Sequence, residues 1–189
     1  MATIKLFLGI ILLAFTGGYR MLSGSLLRAP MNQQTRAEQS LRNRIVKTAE
    51  GEVGVREKTN NNDGARVEEY LSTVGLKKPD PYCAAFVSWV FAKNGMDKPR
   101  SGWSPDLFPK SRLARSALPA NVIGVYFADK HRIAHVGLIV SQDGDWINSV
   151  EANTNIDGSR EGSGVFRKKR HSKTIYRIAD WVAEKGGIR

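Results

Sequence analysis

The sequence predicts an α+β domain in which amino-terminal helices pack on an antiparallel sheet. Two observations carry this. Across residues 41–95 apolar side chains recur at helical spacing in three runs, each closed by glycine. From residue 121 onward the apolar runs are short, β-branched and aromatic, and turn residues separate them, leaving no helix long enough to build βαβ units. The length of 189 residues, 41% of them hydrophobic, suits one ordinary domain plus an extension, and no internal repeat is present.

The extension is amino-terminal. "MATIKLFLGIILLAFTGG" sets Lys5 before an apolar stretch at 6–15, then the small residues Thr16, Gly17 and Gly18. A positive start, a short apolar core and small residues make a secretory signal over residues 1–22. The stretch is well short of the roughly 20 residues that span a bilayer. No A-x-A triplet marks a cleavage site, so an uncleaved inner-membrane anchor is the alternative. No cysteine lies nearby, which excludes a lipoprotein anchor. The chain is therefore expected to be secreted or periplasmic. Residues 23–40 are polar and unpatterned and read as a linker, leaving 41–189 for the folded domain.

"SLRNRIVKTAEGEVGVRE" places Leu41, Ile45, Val46 and Ala49 on one helical face, with Ser40 as a cap and Gly51 and Gly54 at the end. "EKTNNNDG" is a loop of residues that tolerate left-handed backbone. "ARVEEYLSTVG" is a second helix with Val67, Tyr70, Leu71 and Val74 inward and Gly75 as its stop. "DPYCAAFVSWVFAKNG" is a third, with Phe86, Val87, Val90 and Phe91 as its buried stripe and Gly95 at its end. Residues 97–120 show no period and read as a long surface connection with one helical turn at 110–116. "VIGVYFA", "AHVGLIV", "WINSVEAN", "GVFRKKR" and "KTIYRIADWV" then read as strands.

The formal charge of +11 favours anionic partners, whether nucleic acid, acidic lipid or an acidic wall polymer. A nucleic-acid role is disfavoured because no groove-reading motif accompanies the charge and the amino end looks secretory. "RKKRHSK" reads as a solvated strand face. Metal chemistry lacks its ligand sets: there is no second cysteine and no H-E-x-x-H, so neither metal nor cofactor is expected.

The only cysteine, Cys83, stands at the start of the third helix, directly after Pro81 and Tyr82. There the free N–H groups and the positive end of the dipole favour thiolate over thiol. The same groups suit an oxyanion formed by attack on a carbonyl. The stretch alone leaves open an inert buried thiol. A nucleophilic cysteine needs a base, and there are three histidines. His131, in "DKHR", and His171, in the basic run, read as solvated. His135 opens the strand "HVGLIV" and is held by rigid neighbours.

Glu151 and Asn153 in "VEANTN" are the candidates to orient it. If the hairpin turn centres on Asp143, His135 lies directly opposite Glu151, with Asn153 a diagonal neighbour on the same face. A two-residue Asp143–Gly144 turn would send Glu151 to the other face, so this reading requires an odd-numbered loop. Gly137, two residues from His135, is expected to let the cysteine helix approach closely.

Taken together, "PYCAAFVSWVF", "AHVGLIV" and "VEANTN" resemble the cysteine, histidine-dependent amidohydrolase/peptidase (CHAP) domains over residues 45–181. The resemblance implies a papain-like fold of the NlpC/CHAP type. It implies hydrolysis of amide or peptide bonds in bacterial peptidoglycan through a cysteine acyl-enzyme, with Cys83 as nucleophile, His135 as base, and Glu151 and Asn153 as orienting residues. "GVREKTNNNDGARVEEYL" resembles the region before the cysteine in a phage- and secretion-associated branch, which points to Asn61 and Asn62, with Tyr82, as substrate-binding residues. Tyr82 stands where tryptophan is common. The groove loops would be 60–64, 100–109 and 155–164. A catalytically silent wall-binding protein on the same fold is the rival class.

Overall fold

The computed structural model describes residues 33–155 and 162–183. Its α-helices are α1 (Gln33–Gly51), α2 (Ala65–Ser72) and α3 (Cys83–Lys93). The strands are β1 (Leu113–Ala114), β2 (Val122–Phe127), β3 (Arg132–Asp143), β4 (Trp146–Thr154), β5 (Gly164–His171) and β6 (Arg177–Ala179). They form one sheet in the order β1-β6-β2-β3-β4-β5, with every neighbouring pair antiparallel. The fold is α+β, as the order of apolar patterns implies. The expected signal or anchor at 1–22 lies outside the described residues.

Helix α3 is apolar all round, and every residue from Cys83 through Phe91 is buried. Such a helix cannot lie on a surface. It packs against α1, α2, β3 and β4. The core joins Phe86, Val87, Val90 and Phe91 to Tyr70 and Leu71 of α2, Ile45 of α1, and Val136, Leu138 and Val150 of the sheet. Truncating one such phenylalanine to alanine costs about 3–5 kcal/mol. Residues that alternate with these sheet positions point the other way. Ile123, Ile139 and Ile147 form a small second cluster there with Ile175 and Ile178.

Two expectations are corrected. The helix expected to begin at Ser40 runs from Gln33. Residues 33–40 contain no helix breaker, and Glu38 bonds to Arg42 one turn on. Arg42, only 2% exposed, also binds Asp180 at 2.6 Å and Asn121 Oδ1 at 2.9 Å, which ties α1 to the sheet end. This polar anchor leaves no hydrophobic period to read. The segment 97–120 is not wholly a surface connection either. It contains the 3-10 turns Ser104–Leu107 and Lys110–Arg112 and the short strand β1, and it buries Ser104 and Leu107.

The β3–β4 hairpin also differs from expectation. Asp143 pairs with Trp146, so the loop is the two-residue Gly144–Asp145 turn, with Gly144 at φ 55°. That even loop would put the wrong face of β4 beside His135. A bulge at Val140 corrects it: Ser141 pairs with Asn148 but Ile139 pairs with Ser149. The extra residue restores the parity. A second bulge precedes His135, because Val125 pairs with His135 and Tyr126 with Ile133, leaving Ala134 unpaired. A third falls at Asn153, between the Ala152–Val165 and Thr154–Gly164 pairs, where φ is 55°.

Candidate active site

Cys83 is the first residue of α3 and is 5% exposed. The earliest N–H groups of a helix have no intrahelical acceptor, and no side chain caps this end. The sulfur lies 3.5 Å from Ser104 Oγ, and it meets the His135 ring and the Val136 N–H.

His135 Nε2 is 2.8 Å from Glu151 Oε2, which leaves Nδ1 for the sulfur. The route differs from the direct pairing expected. Leu138 pairs with Val150, and continuing that register sets Glu151 across from Gly137, not His135. Glu151 reaches His135 diagonally, over Gly137. A Cβ on Gly137 would lie 2.5 Å from Glu151 Cγ, so the glycine makes room for the carboxylate and not for α3.

Glu151 is fully buried, and its carboxylate is saturated with donors. Arg170 Nε donates to Oε1 and Nη2 to Oε2, both at 2.6 Å. Ser149 Oγ donates to Oε1 at 2.7 Å. Arg170 belongs to the basic run read as a solvated face, yet its side chain is only 22% exposed. Strand alternation carried the signal: Phe166, Lys168 and Arg170 share one face of β5, and Phe166 pairs with Glu151. Ser149 was readable in the same way, two residues before Glu151 on one face. Ser104 had no periodic signal, because it sits in a 3-10 turn.

Burial opposes charge on all three groups. At Cys83 it is outweighed by the hydrogen bond and charge of His135, then by Ser104 and the Val136 N–H, and the thiol pKa falls below its ordinary value. At His135, burial favours the neutral ring, but the hydrogen bonds and charges of Cys83 and Glu151 lift its pKa to about 9. At Glu151, burial is overcome by Arg170 and then His135, which hold the carboxyl well below the usual range. Each shift favours the charged form of its group, the neighbours outweighing burial in every case.

The other expected site residues fall elsewhere. Asn153 takes its turn in the bulge, with its backbone beside the Tyr82 hydroxyl; it is not the partner of His135. Tyr82 is fully buried against Tyr70 and donates to Glu57 Oε1 at 3.0 Å, so it presents no surface to a substrate. Asn62 donates its amide to Pro79 O at 2.7 Å and its N–H to Glu57 Oε2 at 2.9 Å. It holds the loop before α2 against the segment leading to Cys83. Asn61 is exposed on that loop. His131 is exposed in a left-handed turn, and His171 packs edge-on against Trp146. Neither meets Cys83. Among the described residues, no group of three His, Cys, Asp or Glu is placed to hold a metal ion.

No protein-family model matches the chain, and no curated protein matches it. Among solved structures, it resembles the crystal structure of Ly7917, with a TM-score of 0.44 and 13% identity over 73% of this chain and 61% of that one. It also resembles Ly7917 with the hydrolyzing product of MDP, with a TM-score of 0.43 and 14% identity over 73% and 62%. The chain thus spans about 61–62% of the length of those structures.

Proposed function

We propose that this chain is a papain-like cysteine hydrolase that cleaves amide or peptide bonds of bacterial peptidoglycan, carried outside the cytoplasm by its amino-terminal segment. The observation that carries the chemistry is the buried line of Cys83, His135 and Glu151 at the start of α3. The substrate class comes from the likeness of "PYCAAFVSWVF", "AHVGLIV" and "VEANTN" to CHAP domains.

In the proposed reaction, the Cys83 thiolate bonds to the substrate carbonyl carbon and the carbonyl electron pair moves to oxygen. The first-turn N–H groups of α3 lie beside the sulfur, where they suit that oxyanion. The oxyanion collapses, the C–N bond breaks, and His135 Nδ1 gives its proton to the leaving amine. Water then attacks the thioester as His135 takes its proton, and Cys83 departs as thiolate. Glu151 on Nε2 fixes the ring orientation and favours its charged form. Ser104 donates to the sulfur and supports the thiolate before attack.

Purified peptidoglycan incubated with the full chain and separated by mass spectrometry tests this reading. Fragments split at the muramic acid–L-alanine amide or within the stem peptide are expected. Intact wall after incubation with folded protein overturns it. The rival, a silent wall-binding protein, draws on one observation, the 5% exposure of Cys83. It predicts retention of the protein on wall sacculi with no fragments released.

A further inference from the structure

We infer that Arg170 is a positioning residue for the proposed hydrolysis: it is the half-buried cation that lets Cys83 and Glu151 remain ionised together around a single imidazolium. The inference rests on the thiolate–imidazolium reading of Cys83 and His135.

Cys83, His135 and Glu151 are 5%, 8% and 0% exposed. Two anions share one imidazolium, leaving an excess negative charge where burial makes it costly. Arg170 cancels it with two parallel bonds to the carboxylate, both 2.6 Å. This fork–fork geometry suits arginine and cannot be matched by lysine's single ammonium. Its position requires a long side chain. Arg170 pairs with Ile147, whereas Phe166 pairs with Glu151, so the guanidinium must run back along the face of β5 to the carboxylate.

The surrounding groups offer no substitute. The charged partners of His135 are Cys83 from α3 and Glu151 from β4, and those of Glu151 are His135 and Arg170. Lys168, between Phe166 and Arg170 on the same face, donates to Asn155 O at 2.7 Å. Arg56, from the segment before α2, lies over the Phe166 ring, 4.1 Å from its centroid. Without Arg170 the cluster sheds its excess negative charge most easily by taking up a proton from solvent at the Cys83 thiolate.

Cys83 is the only cysteine of the chain, so iodoacetamide alkylation of the full-length protein reports its thiolate without ambiguity. The alkylation rate is measured from pH 4 to pH 9 for wild type, Arg170→Met and Arg170→Lys, with circular dichroism confirming the fold. Arg170→Met is expected to raise the midpoint by about one pH unit, which slows alkylation about tenfold at pH values below both midpoints. Arg170→Lys keeps the charge and is expected to stay within a few tenths of a unit of wild type while melting at a lower temperature. If Arg170→Met does not fold, Arg170→Gln, shorter and polar, supplies the uncharged variant. An unchanged midpoint in the uncharged variant, or an equal shift in Arg170→Lys, overturns the inference. A wild-type thiol titrating at its ordinary value instead overturns the hydrolase reading on which it rests.

Discussion

Replacing Glu151 with glutamine tests the buried network most severely. The carboxylate accepts from Arg170 twice, from Ser149 and from His135 at 2.6–2.8 Å, and it is fully buried. A glutamine amide has one oxygen to accept and an NH₂ group that must donate. Whichever way it turns, the NH₂ group meets donors on at least one side. The charge that paired with Arg170 is also gone. Breaking a buried ion pair costs about 3–5 kcal/mol, and the 22% exposure of Arg170 favours the lower end, about 3 kcal/mol. At a urea slope near 2 kcal/mol/M, the unfolding midpoint should fall by about 1.5 M at pH 7.

The pH dependence of that loss follows from the depressed pKa of Glu151. Its contribution is present above the unfolded carboxyl pKa, about 4.3, and disappears as pH falls through the lower folded value. The gap between wild type and Glu151→Gln should therefore be full above about pH 5 and narrow on acidification. The alkaline side is less informative. There the His135 contribution, complete below about pH 6.5, is lost as pH rises through about 9, while that of the depressed Cys83 grows. Urea unfolding followed by tryptophan fluorescence between pH 3 and pH 8 reads this directly. A midpoint within about 0.3 M of wild type at pH 7, given the same slope, would refute the account of Glu151 as an ionised hub.

Gly137→Ala sets a methyl group 2.5 Å from Glu151 Cγ, so it should cost about 1–3 kcal/mol and slow turnover by displacing the carboxylate; thermal melts and kcat read the two effects. Tyr82→Phe removes the hydroxyl that donates to Glu57 and should cost about 1–3 kcal/mol by leaving a buried acceptor short of a donor, a loss seen in denaturant midpoints. The rate of wall hydrolysis should fall on the alkaline side near pH 9 as His135 loses its proton, and a rate unchanged from pH 7 to about pH 10 would contradict that assignment.

Much of this site could be read from single residues. Cys83 was exposed as a helix-start residue by Pro81 and Tyr82 before it and by the apolar run after it. His135 and Glu151 were legible because each opens or closes an apolar strand, and parity put them on one face. The means to that parity was not legible. A Val140 bulge leaves no mark in a run of β-branched residues, and the two-residue turn it offsets looked like an obstacle. Arg170 was hidden for a different reason. Five consecutive positions, Arg167 to His171, carry basic or imidazole side chains, so composition pointed to solvent although alternation sends every second one inward. Asn153 and Tyr82 looked like site-facing groups by sequence neighbourhood. Their side-chain directions were decided by a bulge with left-handed backbone and by an acceptor, Glu57, 25 residues upstream of Tyr82.

The central claim is that Cys83 performs acyl transfer on wall peptides. Its most direct test compares wild type with Cys83→Ala on purified peptidoglycan, counting new amine groups over time. Loss of a small, 5% exposed side chain leaves little cavity, so the variant should keep its fold and melting temperature. The account predicts steady amine release by wild type and none above background by folded Cys83→Ala. Equal release by the two proteins would contradict it.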